Sequence, residues 1–239
     1  MKCIARIHND FPTKFGLPRQ SGLAPALQSY IVFEPAYRAP EALRGLEGYS
    51  HIWLLWEFHQ ARRTEWSPTV RPPRLGGNAR MGVFATRSPF RPNPIGLSCV
   101  RLEALEAAPG LGTVLRVSGA DLMDGTPIFD IKPYLPFTDC HPEATGGFAA
   151  AHENDRVQVR FPPALQALVP PERLPALLEA LAQDPRPAYQ QDPGRVYGMP
   201  YAGLDVRFSV EADVLTVREI RPWQEENVAD RLEFPHKAR

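Results

Sequence analysis

The sequence predicts a mainly β protein: a β-rich domain at residues 1–155 and a small α+β domain at residues 156–239. Short apolar segments in the first part are separated by turn residues, with no room for crossover helices, which favours an antiparallel meander. The 27 prolines of the 239-residue chain are scattered through the connections rather than gathered in one linker. Extended helical spacing of apolar residues begins only beyond the boundary, near residue 155.

The composition is that of an ordinary folded protein. Hydrophobic residues make up 44% of the chain, and 27 Lys and Arg balance 27 Asp and Glu. The three widely spaced cysteines fit neither a disulfide framework nor a CxxC zinc site, which is typical of a reducing cytosol. We expect a cytoplasmic protein without a signal peptide or membrane segment, because no apolar run approaches the roughly 20 residues of a membrane helix.

The first strand is predicted at residues 3–8. A loop rich in Gly and Pro follows at residues 11–23 and carries Lys14, Arg19 and Gln20. Two interpretations of this loop stand equally: it caps the β structure, or it grips a polar ligand. A short buried strand is predicted at residues 30–33, and residues 40–44 begin with proline as one or two helical turns do.

A central strand is predicted at residues 51–59. Its period of two places Ile52, Leu54, Trp56 and Phe58 on one apolar face and leaves a mixed face opposite. A histidine on a mixed face is usually structural, and we interpret His51 so. His59 stands at the strand end beside Gln60 and is the better candidate for a pocket.

A rigid cationic loop lies between predicted strands at residues 81–85 and 95–105. Its prolines hold the backbone extended and withhold ladder hydrogen bonds. Residues 66–102 contain no Asp, Glu or Lys and six arginines: Arg71, Arg74, Arg80, Arg87, Arg91 and Arg101. Arginine favours bidentate recognition of carboxylate or phosphate. For Arg71 and Arg74 a solubilising role is equally plausible, whereas Arg87 and Arg91 on the stiff loop indicate function.

The strand at 95–105 is predicted to form a hairpin with residues 112–118. Beyond it, Asp124-Gly125 signals a turn, and alternation after the turn puts Ile128, Asp130, Lys132 and Tyr134 on one face. Asp130 and Lys132 could be a paired edge. Four aspartates in this region could instead be the acidic counterpart of the cationic loop: Asp121, Asp124, Asp130 and Asp139.

The second domain is predicted from a strand at 157–161, helices at 163–168 and 171–183, and a hairpin of residues 205–210 and 214–220. A stiff loop at 184–198 interleaves arginines with tyrosines: Arg186, Tyr189, Arg195 and Tyr197. That pattern is typical of single-stranded nucleic-acid contacts. Packing of the tyrosines against the helices is the slightly favoured alternative.

The sequence motifs exclude several function classes. The sequence lacks three motifs: GxGxxG after a strand, GxxxxGK[ST] and GxSxG. Their absence excludes a classical dinucleotide-binding fold, a P-loop nucleotide-binding protein and a hydrolase with a nucleophile elbow. A metal site of Cys140, His141 and the distant His59 has no supporting ligand spacing, and we expect no metal. What remains is a pocket for a ligand that carries carboxylate, ribose and base.

Four motifs together resemble the TsaA-like, or TrmO, family of tRNA methyltransferases. They are Pro18-Arg19-Gln20, the segment GYSHIW at 48–53, TRSPFRPNPIG at 86–96 and DGTPIFDIKPY at 124–134. The resemblance covers roughly residues 1–147 and extends more loosely to Tyr197. It implies a single-sheet, non-Rossmann β-barrel that binds S-adenosylmethionine, acts as a homodimer and methylates N6 of threonylcarbamoyladenosine beside the anticodon, in tRNAs with threonine-type anticodon loops.

The family's cofactor contacts carry over onto matching motifs. They fall on Pro18, Arg19, Gln20, His59, Gln60, Arg87, Leu97, Asp124, Gly125, Thr126 and Pro127. Glycine at 125 would let the backbone approach the cofactor closely, and Arg87 would neutralise a carboxylate or steer the tRNA backbone. Contacts with RNA are expected from Arg91, Arg186, Tyr189, Arg195 and Tyr197.

The chemistry implied needs alignment more than a covalent nucleophile, because the cofactor is already a reactive sulfonium. An acceptor nitrogen beside a carbonyl is a poor nucleophile until its proton leaves. We hypothesise that Asp130 or Tyr134 assists that loss and that Lys132 stabilises the developing negative charge. Two rival functions stay open: a non-catalytic RNA- or nucleotide-binding module, and a metal-dependent hydrolase built on His59, His141 and the aspartates.

Overall fold

The structure is a computed structural model, and it describes residues 1–62, 64–72, 79–153, 155–186, 192 and 194–224. Its N-terminal part is a closed barrel of six antiparallel strands in the order β1-β2-β7-β6-β3-β8, so the mainly β prediction is confirmed. A separate two-stranded ribbon is formed by β4 and β5. The strands are β1 (Ala5–His8), β2 (Gln28–Phe33), β3 (His51–Glu57), β4 (Thr69–Val70), β5 (Met81–Gly82), β6 (Ile95–Ala108), β7 (Gly112–Ser118) and β8 (Pro127–Pro133).

The barrel interior is filled by one face of each strand. On β3 the inward residues are Ile52, Leu54 and Trp56, all buried, as the period of two predicts. Phe58 is partly buried against the same core, although it lies just beyond the strand. The chain then turns into a short 3₁₀ helix at His59–Ala61.

A bulge in β8 changes which of its side chains share a face. Leu55 pairs with Asp130 but Trp56 pairs with Ile128, so Phe129 is the extra residue. Ile128 therefore points into the core while Asp130 and Lys132 point outward. The prediction that Ile128 shares a face with Asp130 and Lys132 is wrong, because strict alternation does not hold across a bulge.

The predicted hairpin of β6 and β7 is present, with Ala108 opposite Gly112. The N–H of Leu111 donates to the Ala108 carbonyl at 3.0 Å to close the turn. Strand β6 is longer than predicted and carries its own irregularity between Leu102 and Ala104. The predicted strand at 81–85 is shorter, because residues Val83–Ala85 form a 3₁₀ turn.

The C-terminal part combines helices with a four-stranded sheet in the order β10-β11-β12-β9. Strand β9 runs parallel to β12, and the other pairs are antiparallel. Residues 197–201 form a strand that the sequence did not predict. After α1 (Pro136–Asp139), the elements are β9 (Gln158–Arg160), α2 (Pro163–Gln166), α3 (Leu174–Ala182), β10 (Tyr197–Tyr201), β11 (Leu204–Glu211) and β12 (Val214–Pro222).

The loop after β1 supplies part of the C-terminal core. Phe11 and Leu27 are buried in the same apolar cluster as Leu177 and Phe208. The Phe11 ring lies 5.0 Å, centroid to centroid, from that of Tyr201. Apolar packing thus joins the first part of the chain to the second.

Two further contacts fix this join. Gly16 has a φ of +87°, and a Cβ added there would lie 2.0 Å from the Met199 sulfur, so both conformation and space require glycine. The Asp10 carboxylate forms an ion pair with Arg173 at 3.0 Å. No helix in the described part of the chain is long and apolar enough to cross a membrane.

Candidate functional site

The segments predicted to hold a cofactor meet at one end of the barrel. Strand register brings this about: Trp56, near the end of β3, lies beside Gly96 at the start of β6 and Ile128 at the start of β8. Arg6 of β1 pairs with Pro127. The 18–22 loop reaches the same end, where the Gly22 N–H donates to the Gly119 carbonyl at 2.8 Å.

The turn from Asp124 to Pro127 is held against β1. The Gly125 N–H donates to the Ile7 carbonyl at 2.8 Å, and the Asp124 carboxylate accepts the Asn9 N–H at 3.1 Å. Gly125 has a φ of +75°, which favours glycine, and the space beyond its Cα is open. The turn is therefore rigid on one side and accessible on the other.

Two linked hydrogen bonds, one buried and one partly buried, run behind the site. The Trp56 indole N–H donates to the Ser98 hydroxyl at 2.9 Å, and that hydroxyl donates to the Asp121 carboxylate at 2.5 Å. Loss of hydration raises the pKa of Asp121, opposed by the Ser98 hydroxyl, backbone N–H groups and the positive charge of Arg87. Asp121 thus joins β3, β6 and the segment before the turn.

Gly96 leaves room for this arrangement. A Cβ added there would lie 2.2–2.5 Å from carbon atoms of the Trp56 ring. Such a contact cannot be accommodated without moving the indole. The glycine in the 86–96 motif therefore serves core packing, and its backbone lies directly against Trp56.

The cationic loop contacts the 18–20 motif through Arg87, whose guanidinium donates to the Gln20 side-chain carbonyl. Arg19 behaves differently, since its guanidinium donates to the Asp184 backbone carbonyl at 2.7 Å. Pro18 is buried. The structure therefore brings Gln20 together with Arg87, whereas the Arg19 side chain bonds to the C-terminal part.

Hydrogen bonds inside the cationic loop make it rigid, as its prolines predict. The Thr86 hydroxyl donates to the Val83 carbonyl at 2.9 Å and accepts the Ser88 N–H at 3.3 Å. The Phe90 N–H donates to the Ser88 hydroxyl at 3.2 Å. The Arg91 guanidinium donates to the Thr86 carbonyl at 3.1 Å and so braces the loop from within.

His59, Gln60 and Leu97 lie at the margin of the same barrel end. His59 is half-buried and Gln60 exposed, and the Phe58 N–H donates to the Pro94 carbonyl at 2.8 Å, which ties this turn to the start of β6. Leu97 points out of the barrel and is 54% exposed. An exposed leucine beside the cationic loop offers an apolar contact to a ligand or a partner.

The three residues with hypothesised catalytic roles lie on the outer side of β8. The Lys132 ammonium lies 2.8 Å from the Asp130 carboxylate in an exposed ion pair. Tyr134 follows β8, and its ring packs 5.8 Å from Trp53. Its N–H donates to the His51 carbonyl, at the opposite end of β3 from the Asp124–Pro127 turn.

The four residues of the 184–198 loop have different surroundings. The Arg186 guanidinium bonds to the Asp184 carboxylate at 3.0 Å. The Arg195 guanidinium lies 5.3 Å from the centre of the Tyr197 ring. Tyr197 is only 6% exposed and its ring stacks 5.5 Å from Phe208, which covers it from solvent. Tyr189 lies outside the described residues.

Sequence reasoning missed the role of two residues. Ser98 carried no signal beyond its place on an inward-facing strand position. Asp121 was noted as one of four aspartates, yet no local signal distinguished it from Asp124, Asp130 and Asp139 as the one whose pKa burial raises. Among the described residues, no three His, Cys, Asp or Glu side chains are grouped as a metal site would require.

Comparison with known proteins gives matches over nearly the whole chain. Residues 6–140 match the profile of the tRNA-methyltransferase O N-terminal domain, and residues 154–223 match the TrmO C-terminal domain. A tRNA (adenine(37)-N6)-methyltransferase of Escherichia coli K12 is 44% identical over 215 residues, covering 87% of this chain and 91% of that protein.

Two further matches agree with this. The enzyme of the same name from Eikenella corrodens is 49% identical over 174 residues, covering 72% of this chain and 97% of its own. A crystal structure of TrmO from P. aeruginosa, 38% identical, superposes with a TM-score of 0.73 over 92% of this chain and 95% of that one.

Proposed function

The chain belongs to the tRNA-methyltransferase O family, and from this premise we propose that it methylates N6 of N6-threonylcarbamoyladenosine beside the tRNA anticodon. It is an S-adenosylmethionine-dependent tRNA methyltransferase, as its relatives' names indicate. The threonylcarbamoyl group on the acceptor is the finer part of the proposal. tRNAs with threonine-type anticodon loops are its proposed substrates, and the cytoplasm is its proposed location.

One observation supports the cofactor site: the four segments that carry the proposed contacts, residues 18–20, 59–60, 87–97 and 124–127, lie at one end of the barrel, and the Gln20–Arg87 contact joins two of them. The donor set fits the cofactor's parts. A guanidinium and a side-chain amide suit the methionyl carboxylate, and the open side of Gly125 allows a ligand near the backbone. We propose cofactor contacts from Pro18, Arg19, Gln20, His59, Gln60, Arg87, Leu97, Asp124, Gly125, Thr126 and Pro127.

The chain's own contribution to the reaction is positioning and proton removal. The bound cofactor supplies an electrophilic methyl group on a sulfonium. Asp130 is better placed than Tyr134 to take the acceptor proton, because it lies in the same row of residues as Leu97, a proposed cofactor contact. In that row Leu55 of β3 pairs with Leu97 of β6 on one side and with Asp130 of β8 on the other. Asp130 and Leu97 therefore point outward in one row, two strand spacings or roughly 10 Å apart. Lys132, paired with Asp130, would stabilise negative charge that develops on the acceptor.

Tyr134 has a weaker case as the base. Burial raises the pKa of its hydroxyl further above the ordinary value of 10.0, so it stays protonated at neutral pH. A protonated phenol can donate a hydrogen bond but cannot accept the proton of the acceptor nitrogen. We propose that it supports the carbonyl of the acceptor or the packing of Trp53 rather than acting as base.

Contacts with tRNA are proposed for the arginines of both parts: Arg91, Arg186 and Arg195. The buried Tyr197 contributes by holding the Arg195 guanidinium over its ring. A homodimer is proposed as the working form. The exposed Leu97 and the neighbouring outward Leu55 give the outer face of β3 and β6 the apolar character that supports such an association.

The experiment is transfer of a labelled methyl group from S-adenosylmethionine to tRNA. We expect label in a nucleoside that co-migrates with N6-methylated threonylcarbamoyladenosine, and none in tRNA lacking the threonylcarbamoyl group. Equal labelling of both tRNAs would refute threonylcarbamoyladenosine as the specific acceptor but would still show a tRNA methyltransferase. Binding of tRNA without label would favour the binding module, and a stoichiometric metal in elemental analysis would favour the hydrolase.

A further inference from the structure

We propose that Trp66 and Phe84 form a stacking platform for an unpaired base of the RNA substrate, outside the cofactor site. The inference rests on the proposed tRNA substrate and adds a subsite to it. The two rings lie 6.1 Å apart with 30° between their planes. Trp66 is 53% exposed and Phe84 is 73% exposed. Two large aromatic side chains left in water side by side mark a binding surface rather than a core.

The platform is held by backbone hydrogen bonds. Strands β4 and β5 pair Thr69 with Gly82, and the Val83 N–H donates to the Pro68 carbonyl at 2.9 Å. Trp66 lies just before β4, and Phe84 lies in the 3₁₀ turn that directly follows β5. Val83 is buried beside Phe84 and anchors the ribbon. The rings are therefore presented by a paired ribbon, which lowers the entropy lost on binding.

The shape beside Trp66 suits a small planar group. An open groove of about 580 Å³ is lined by Arg62, Thr64, Glu65, Trp66 and Ser67. Pockets for small ligands are typically roughly 300–1,000 Å³. The Arg62 guanidinium is bonded to the Glu57 carboxylate, outside the groove lining. Glu65 supplies the carboxylate of the groove, and no described lining residue gives it a bonded arginine.

Charge selects RNA as the occupant. Residues 66–102 hold six arginines and no Asp, Glu or Lys, so the aromatic pair belongs to a cationic segment. Aromatic faces among arginines are the usual surface for unpaired bases, with stacking on the rings and phosphates on the guanidinium groups. A second copy of this chain is not the proposed occupant, because the homodimer contact is proposed elsewhere, on the outer face of β3 and β6 around Leu55 and Leu97.

The test measures tRNA binding by filter retention for Trp66→Ala, Phe84→Ala and the double variant. We expect each single substitution to weaken binding about 5- to 150-fold, the range for one lost base stack. The dependence of affinity on salt should keep its slope, because no phosphate contact is removed. Phe137→Ala is the matched control, since Phe137 is 83% exposed but lies outside the cationic segment, and it should bind as the unchanged protein does.

A conservative pair separates stacking from packing. Trp66→Phe keeps a ring and should retain most of the affinity, whereas Trp66→Leu keeps apolar area without a ring and should bind as Trp66→Ala does. Affinity for S-adenosylmethionine should be unchanged in all of them, which also shows that they fold. Unchanged tRNA affinity in the double variant overturns the platform, as does a flatter salt slope.

Two outcomes locate any failure. A change of oligomeric state by light scattering in Trp66→Ala would assign these rings to a contact between copies and overturn the inference. Normal methyl transfer with unaltered RNA binding in the variants would refute the stacking platform and leave the proposed function intact. Absence of methyl transfer by the unchanged protein would refute the proposed function, while the binding measurements would still decide whether RNA stacks on these rings.

Discussion

The Ser98 hydroxyl donates a 2.5 Å hydrogen bond to the Asp121 carboxylate while it accepts the Trp56 indole N–H. One hydroxyl on β6 thereby satisfies a donor on β3 and a partly buried acceptor in the segment between β7 and β8. Asp121 also lies within the influence of the Arg87 charge and of the Ser21 backbone. This pair connects the barrel core to both loops of the proposed cofactor site.

Asp121→Asn should change how stability depends on pH. Because burial raises the pKa of Asp121 above 3.8, the folded state holds its proton more tightly than the unfolded state. The group's contribution therefore declines as pH rises from 3.8 through the folded pKa. Urea unfolding from pH 3.5 to 7 should show that decline in the unchanged protein and a smaller one in Asp121→Asn.

Asp139→Asn provides a control of opposite sign. The Leu135 N–H and the Trp53 indole N–H hold the pKa of Asp139 below 3.8, so its contribution is present above that value and is lost as pH falls through the folded pKa. Its replacement should flatten the acid limb instead, in the same urea titration extended below pH 3.5. Identical pH profiles for the two variants would contradict both assignments.

Ser98→Ala should cost about 1–3 kcal/mol of the free energy of unfolding, because it leaves the buried Trp56 N–H without its acceptor and removes one hydrogen bond from the Asp121 carboxylate. Ser29→Ala is the matched control. Ser29 is fully buried, yet its hydroxyl finds no hydrogen-bond partner among the described residues. Its removal should be neutral or stabilising in the same urea titration. Equal losses in the two variants would show that the Ser98 bonds add nothing.

Gly96→Ala should destabilise the barrel by about 1–3 kcal/mol, because the added methyl group must displace the Trp56 ring. Gly48→Ala meets open space at its Cβ and should change stability by no more than about 0.5 kcal/mol. Thermal unfolding of both variants checks this. A shift of Trp56 fluorescence in Gly96→Ala alone would locate the strain.

Arg87→Lys should weaken binding of S-adenosylmethionine about 10- to 150-fold, since a charged hydrogen bond contributes about 1.5–3 kcal/mol and lysine lacks the planar fork. Arg101→Lys, with its exposed guanidinium near Glu103, should leave it unchanged. Isothermal calorimetry without tRNA measures both. Wild-type affinity in Arg87→Lys would remove Arg87 from the cofactor site.

Asp130→Ala should slow single-turnover methyl transfer about 10²- to 10⁴-fold if Asp130 is the base. Lys132→Ala should also slow it, whereas Tyr134→Phe should leave the pH dependence of the rate unaltered, because a hydroxyl with a raised pKa stays protonated throughout. Quenched-flow measurements with tRNA at saturation provide the rates. Normal rates in the first two variants with normal tRNA binding would exclude both residues from the mechanism.

The sequence predicted what local pattern determines. The alternating apolar residues of β3 fix its inward face, and the Asp124-Gly125 pair fixes a turn with a left-handed glycine. It could not predict the bulge at Phe129, because a bulge depends on the pairing of β8 with β3. The raised pKa of Asp121 likewise depends on groups distant in the chain.

The loop at residues 11–23 was open to two interpretations, and neither included its main packing. Phe11 is buried in the C-terminal core, and Phe15 and Leu17 pack against it, although these residues precede the C-terminal elements by more than a hundred positions. The local composition, rich in Gly and Pro, indicates only a loop. Apolar residues inside that loop indicate that part of it is buried, but they do not indicate which core they pack into.

That shared core makes the C-terminal part a support for the cofactor end rather than a detachable appendage. A protein truncated after residue 153 would expose the Phe11 ring, lose the Asp10–Arg173 ion pair and release the Arg19 guanidinium from its carbonyl. The loop that carries Pro18 and Gln20 would then lose the contacts that hold it in place. Removing the C-terminal part would thus weaken cofactor binding, although that part contributes no proposed cofactor contact of its own.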